Sequence, residues 1–172
     1  MSENRVDPTV AGLYLVGFIT LFFGLLGVQL YGGNDELLAV ATAFAPMIGI
    51  VMLVFAYMAG KAGNGFATAL FAFIAIALFA VGVGLLLSAI VFYAAAVFFL
   101  IFAIVAFIIG APKLMALLLI LTALLYLFVG FFVGSADEQP IFAAAFGLFG
   151  LLAFIVSTYM AVALGTQKMP VI

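Results

Sequence analysis

Cysteine and histidine are both absent from this chain of 172 residues, and charge is scarce, with four Lys and Arg against six Asp and Glu. Without cysteine there is no disulfide, no thiolate nucleophile and no thiolate metal site. Without histidine the chain lacks the commonest metal ligand and the one side chain that ordinarily titrates near neutrality. No cofactor is expected from such an inventory. A net charge of -2 with no basic cluster excludes an electrostatic footprint for nucleic acid. What is present is apolar: 71% of the residues are hydrophobic and 6% charged, a membrane composition rather than that of a water-soluble domain.

The longest apolar run, from Phe66 to Gly110, is interrupted only by Thr68, Ser88 and a few glycines. A bilayer about 30 Å thick needs ~20 apolar residues per helix at ~1.5 Å each, so this run is two spans back to back. The charges punctuate the rest. They fall at Glu3, Arg5, Asp7, Asp35, Glu36, Lys61, Lys113, Asp137, Glu138 and Lys168. The uncharged intervals 8–34, 37–60, 114–136 and 139–167 are each one span long, and 62–112 is two. The expected fold is therefore an all-α membrane protein, a single domain over 1–172 with six transmembrane helices at about 8–31, 36–60, 66–87, 89–109, 113–134 and 140–164.

The sign of the charges sets an expected orientation. Arg5, Lys61, Lys113 and Lys168 fall on one side of a six-span layout, and Asp35, Glu36, Asp137 and Glu138 on the other. Positive residues mark the cytoplasmic side, so both termini are expected there, in a multi-pass protein of the cell membrane. The polar start leads into an apolar segment longer than a signal peptide, which is expected to be a retained first helix.

Local chemistry marks the helix ends. Asp7-Pro8 reads as an N-cap followed by proline at the first helical position. Asp35-Glu36 and Asp137-Glu138 precede spans, where the positive end of the helix dipole favours carboxylates. Pro46 should kink the second helix. Asn64 can cap the third, and Ser88 is the only plausible turn residue between the third and fourth. Ala111-Pro112-Lys113 opens the fifth.

No acid, base or histidine falls inside any span, which removes the mid-membrane group that proton-driven pumps use to bind and release charge. Nor is there a nucleophile beside a base, a carboxylate pair in a span or a glycine-rich phosphate loop, so an enzyme is not expected. The polar groups within the membrane are hydroxyls and amides. Most are expected to be interfacial or bonded to their own helix. Ser157-Thr158-Tyr159 stands out, because three consecutive hydrogen-bonding side chains cannot all face lipid without cost. Pairs such as Gly24 with Gly27 and Gly147 with Gly150 point to close helix packing.

Several landmarks, in order along the chain, resemble the acetate uptake transporter family, the succinate-acetate permeases. Asp7-Pro8-Thr9-Val10-Ala11-Gly12-Leu13 stands where the family has Asn-Pro-Ala-Pro-Leu-Gly-Leu, and Gly63-Asn64-Gly65-Phe66 is similar to its Gly-Asn-Thr-Phe. Gly147 and Gly150 followed by Tyr159 reproduce its spacing in helix 6, and Met169-Pro170-Val171 looks like its Leu-Pro-Ile. The resemblance implies six helices, assembly as a homo-oligomeric hexamer and a pore in each subunit. It also implies a constriction formed by helices 1, 3 and 5. By position the constriction residues are Leu121 in helix 5, beside Thr122, and Ile74 in helix 3, with Phe73 adjacent. In helix 1 the residue is Val16 or Phe18, according to how the segment is matched. A helix 6 position that influences substrate choice falls on Ser157. The chain departs from the family at Met52, Ala59 and Leu164, where a glutamine and two acids are replaced, and in a much shorter connection between helices 3 and 4.

The expected function is thus a channel or transporter for acetate or a similar small monocarboxylate. Asn64 and the first turn of helix 3 would offer an anion site, and Thr68, Ser157 and Tyr159 would be donors along the path. A channel for a small neutral solute, such as ammonia, a short amide or an undissociated acid, is the alternative, followed by a non-transporting assembly protein. Helix 4 carries no expected role beyond packing or subunit contact.

Overall fold

A computed structural model describes residues 8–31, 36–82, 89–135 and 139–166, with the backbone alone at 36–39 and 41. Among the described residues there are six helices and no strand: α1 (Pro8–Tyr31), α2 (Glu36–Lys61), α3 (Gly65–Gly82), α4 (Ala89–Ile108), α5 (Lys113–Gly134) and α6 (Gln139–Thr166). Each is long and apolar enough to cross a bilayer, so the chain is a multi-pass membrane protein by length and composition. α3 was expected over 66–87 and is described over Gly65–Gly82. The expectations for Asp7, Asp35, Ser88, Asp137, Glu138 and the tail at 169–171 lie outside the described residues, as does the Glu36 side chain.

Two helix ends share one construction. The Gly63 N–H donates to Gly60 O and the Asn64 N–H to Ala59 O, both at 3.0 Å, with Gly63 at φ 79°. The Gly110 N–H donates to Phe107 O at 3.2 Å and the Ala111 N–H to Ala106 O at 2.9 Å, with Gly110 at φ 70°. These are Schellman closures, which satisfy the last carbonyls of α2 and α4 through a left-handed glycine. The chain leaves the second closure directly into Pro112 and α5. It leaves the first into α3, where Asn64 Oδ1 accepts the Ala67 N–H at 3.0 Å, the N-cap bond that its position predicted.

Each helix packs against the next along the chain except α3 against α4, and the ring closes through α1 against α6. That contact is the most extensive, whereas α3 and α4 stand well apart and are bridged by aromatic rings. Nothing apolar is gained by leaving lipid, so backbone proximity and small residues hold such helices together. A Cβ placed on Gly27 would stand 2.5 Å from Gly147 Cα and 2.6 Å from Ala143 O. One placed on Gly150 would stand 2.7 Å from Gly24 N and 2.8 Å from Thr20 O. Both obstacles are backbone, which cannot swing aside. α2 leaves Met47, Ile50, Val54 and Tyr57 exposed on its outer face. Its Pro46 removes the N–H that would bond Thr42 O, and Gly82 of α3 seats against that proline and carbonyl.

The glycine crossing yields a stability contrast. Gly27→Ala and Gly150→Ala should each cost about 1–3 kcal/mol, read as a lowered midpoint in detergent unfolding. Gly65→Ala, with nothing within 4 Å of its added Cβ, should stay within about 0.5 kcal/mol of the parent.

Candidate functional site

Three cavities follow one another along the axis enclosed by α1, α3, α4, α5 and α6, and no α2 residue lines any of them. The first, about 320 Å³, opens beside Asn64 and Pro112 and runs inward past Leu13, Leu70 and Met115. The second, about 20 Å³, lies at mid-span among Ile19, Thr20, Leu125 and Tyr126. The third, about 180 Å³, reaches Leu30 and Gln139 at the opposite end. On α1 the lining runs from Thr9 to Leu30, about 32 Å of helix and so roughly the full hydrocarbon thickness.

Two narrowings divide this axis. Val16, Ile74, Phe99 and Thr122 line both the first and second cavities and form the neck between them. Phe23 lines both the second and third. The rings that shut the axis touch one another: Tyr126 lies 5.3 Å from Phe99 and 6.3 Å from both Phe23 and Phe92, centroid to centroid. The middle cavity has room for about one water, the smallest occupant a polar site can keep.

Its two threonine hydroxyls are already committed as donors. Thr20 Oγ1 donates to Val16 O at 2.9 Å, with Gly17 O at 3.0 Å as a second acceptor. Thr122 Oγ1 donates to Leu118 O at 2.8 Å. Each threonine thus returns its proton to its own helix and offers the cavity only lone pairs. A carboxylate, which can only accept, finds no partner in either threonine.

Of the residues named from sequence, Val16, Ile74 and Thr122 stand at the neck and Asn64 at the mouth. The other six line none of the three cavities. Phe18 is 48% exposed and meets Phe44 of α2 edge-on at 6.0 Å. Phe73 fills the gap between α3 and α4, with Phe98 and Phe99 both at 5.2 Å. Leu121 is half-buried against the core. Thr68 faces Gly60 and donates to Asn64 O at 2.8 Å. Ser157 is fully buried where α6 meets Gly17, and donates to Phe154 O at 3.1 Å. Tyr159 is half-buried on α6.

Sequence reasoning gave Phe99, Phe23 and Tyr126 no place in the site and α4 no role beyond packing or subunit contact. A signal for Phe99 exists in α4 itself. Its buried residues are Phe92, Ala95, Ala96, Phe99, Ala103 and Ala106, at helical spacing, while Ile90, Val97, Ile101 and Ile104 are exposed. Alanine marks the inward face, and Phe92 and Phe99 fall on it.

Comparisons of the chain with protein-family models, with curated proteins and with solved structures found no match.

Because the chain has no cysteine, single cysteines can map the neck without background. Ala67→Cys, on the wall of the first cavity, should react with a small charged methanethiosulfonate about tenfold faster than Leu125→Cys beyond the neck. Equal rates would mean that the neck does not separate the two cavities.

Proposed function

We propose that this membrane protein provides a path for acetate or a similar small monocarboxylic solute, and that the solute passes the neck in its undissociated form. The observation that carries this reading is the file of three cavities spanning the bilayer and closed at mid-span by Val16, Ile74, Phe99 and Thr122. An anion stripped of water loses several kcal/mol unless donors replace it, and the threonine protons there are already bonded to Val16 O and Leu118 O. A neutral acid carries its own donor, for which the threonine lone pairs are acceptors. The resemblance to the acetate uptake transporters supports the solute class and implies a hexamer with one path per subunit. The four basic residues on one side of the layout support cytoplasmic termini in the cell membrane.

Labelled-acetate uptake into proteoliposomes tests the proposal. Uptake should exceed that of empty liposomes and fall about tenfold per pH unit above the carboxyl pKa as the neutral fraction shrinks. In variants that keep the parent elution profile, Phe99→Ala should raise uptake about fivefold and Ile74→Trp should abolish the protein-dependent part. Uptake equal to empty liposomes in both the parent and Phe99→Ala overturns conduction. Uptake driven by membrane potential and indifferent to pH overturns the neutral form.

A further inference from the structure

The first cavity is larger than an acetate-sized solute needs. At about 320 Å³ it falls in the range of roughly 300–1,000 Å³ typical of sites for whole organic ligands. A two-carbon acid would leave most of it empty. Its walls are apolar along their length, with Leu13, Leu70, Leu118, Leu119 and Met160 facing inward. Its polarity lies at its two ends, with Thr122 at the neck and Thr9 and Asn64 at the rim. There Asn64 Nδ2 donates to Thr9 Oγ1 over a long 3.4 Å, in an exposed position. The N–H groups of Gly65 and Phe66 lie beside it in the first turn of α3, where a helix provides no carbonyl partner.

The length of the cavity is as informative as its volume. Its lining runs from Asn64 to Ile74 on α3 and from Pro112 to Thr122 on α5, ten residues or about 15 Å in each case. An extended hydrocarbon chain advances ~1.3 Å per bond, so about ten carbons, together with a carboxylate oxygen at one end and about 2 Å for the terminal methyl group at the other, reach from the rim to the neck. At the far end Thr122 returns its proton to Leu118 O and asks nothing of a methyl group. We propose that this cavity binds a single-chain monocarboxylic acid of about ten carbons, its carboxylate at the Asn64 rim and its tail ending at the Ile74–Thr122 neck. Binding requires no passage past the neck, so the site stands or falls apart from conduction.

The test is equilibrium binding of labelled decanoic acid at pH 7.5 to the full chain in phosphatidylcholine nanodiscs, with empty nanodiscs as the blank. Binding should saturate at one per chain, be displaced by octanoic and decanoic acid, and resist acetic acid even at about hundredfold excess. Decanol should compete about tenfold less well, because it brings no charge to the rim. Ala67→Phe, which places a ring inside the cavity, should weaken binding about tenfold, and Met115→Phe should do so if Ala67→Phe does not fold. The proposal is overturned if binding does not exceed that of empty nanodiscs, if acetic acid displaces decanoic acid, or if folded Ala67→Phe or Met115→Phe binds like the parent. Displacement by dioctanoyl phosphatidylcholine as effective as by decanoic acid would assign the cavity to a lipid tail and also overturn it.

Discussion

The contact on which the rest depends is the crossing of α1 and α6, where Gly24 and Gly27 meet Gly147 and Gly150 with no side chain between the backbones. In water a helix bundle closes because apolar faces leave solvent. In lipid that force is absent, and the density of van der Waals contact decides which helices touch. Removing the side chains at four positions lets two main chains approach as closely as their atoms permit. This joins the first helix to the last and makes the chain a ring rather than an open row. The axis exists because the ring closes, and the cavities exist because the residues turned toward that axis do not fill it.

What faces the axis follows from the same economy. A polar group in lipid must be satisfied within the protein. Thr20 and Thr122 achieve this by bonding to carbonyls of their own helices, and Ser157 does so at the α1–α6 contact. At these threonines the interior therefore offers lone pairs but no free proton. Phe23, Phe99 and Tyr126 close the middle, joined through ring contacts rather than hydrogen bonds. A barrier of this kind discriminates by hydration and charge. At the mouth, Asn64 and the first turn of α3 bring helix N-terminal N–H groups to the rim of the first cavity.

The charges made the number and placement of the helices legible, because a charged side chain is costly in hydrocarbon and so collects at span ends. Asn64 as a cap and the glycine pairs as close contacts were legible for local reasons: an N-cap needs a short acceptor side chain, and a tight crossing needs no Cβ. The inward face of each helix was harder to read. Apolar periodicity separates core from water, but here lipid and core are equally apolar, so Phe98 and Phe99 look alike in the sequence although only Phe99 lines the axis. In α4 the distinction lies in residue size, with Ala95, Ala96, Ala103 and Ala106 inward and Ile90, Val97, Ile101 and Ile104 outward. Positions carried over from the family resemblance divide along the same line. Val16 and Ile74 lie on the buried faces of their helices and reach the neck, whereas Phe18 and Leu121 lie a fraction of a turn away and do not line it.

The register of α1 on α6 is the most direct object of measurement. A Cβ placed on Gly17 would stand 2.9 Å from Ser157 Oγ, close to the spacing between a Cβ and the far sulfur of a disulfide. In this cysteine-free chain, Gly17→Cys with Ser157→Cys should therefore cross-link under mild oxidation in membranes. Gly17→Cys paired with Leu152→Cys, on the exposed side of α6, should not. A shifted gel band for the first pair alone is the predicted result; no cross-link in the first pair, or equal cross-linking in both, would contradict the closed ring.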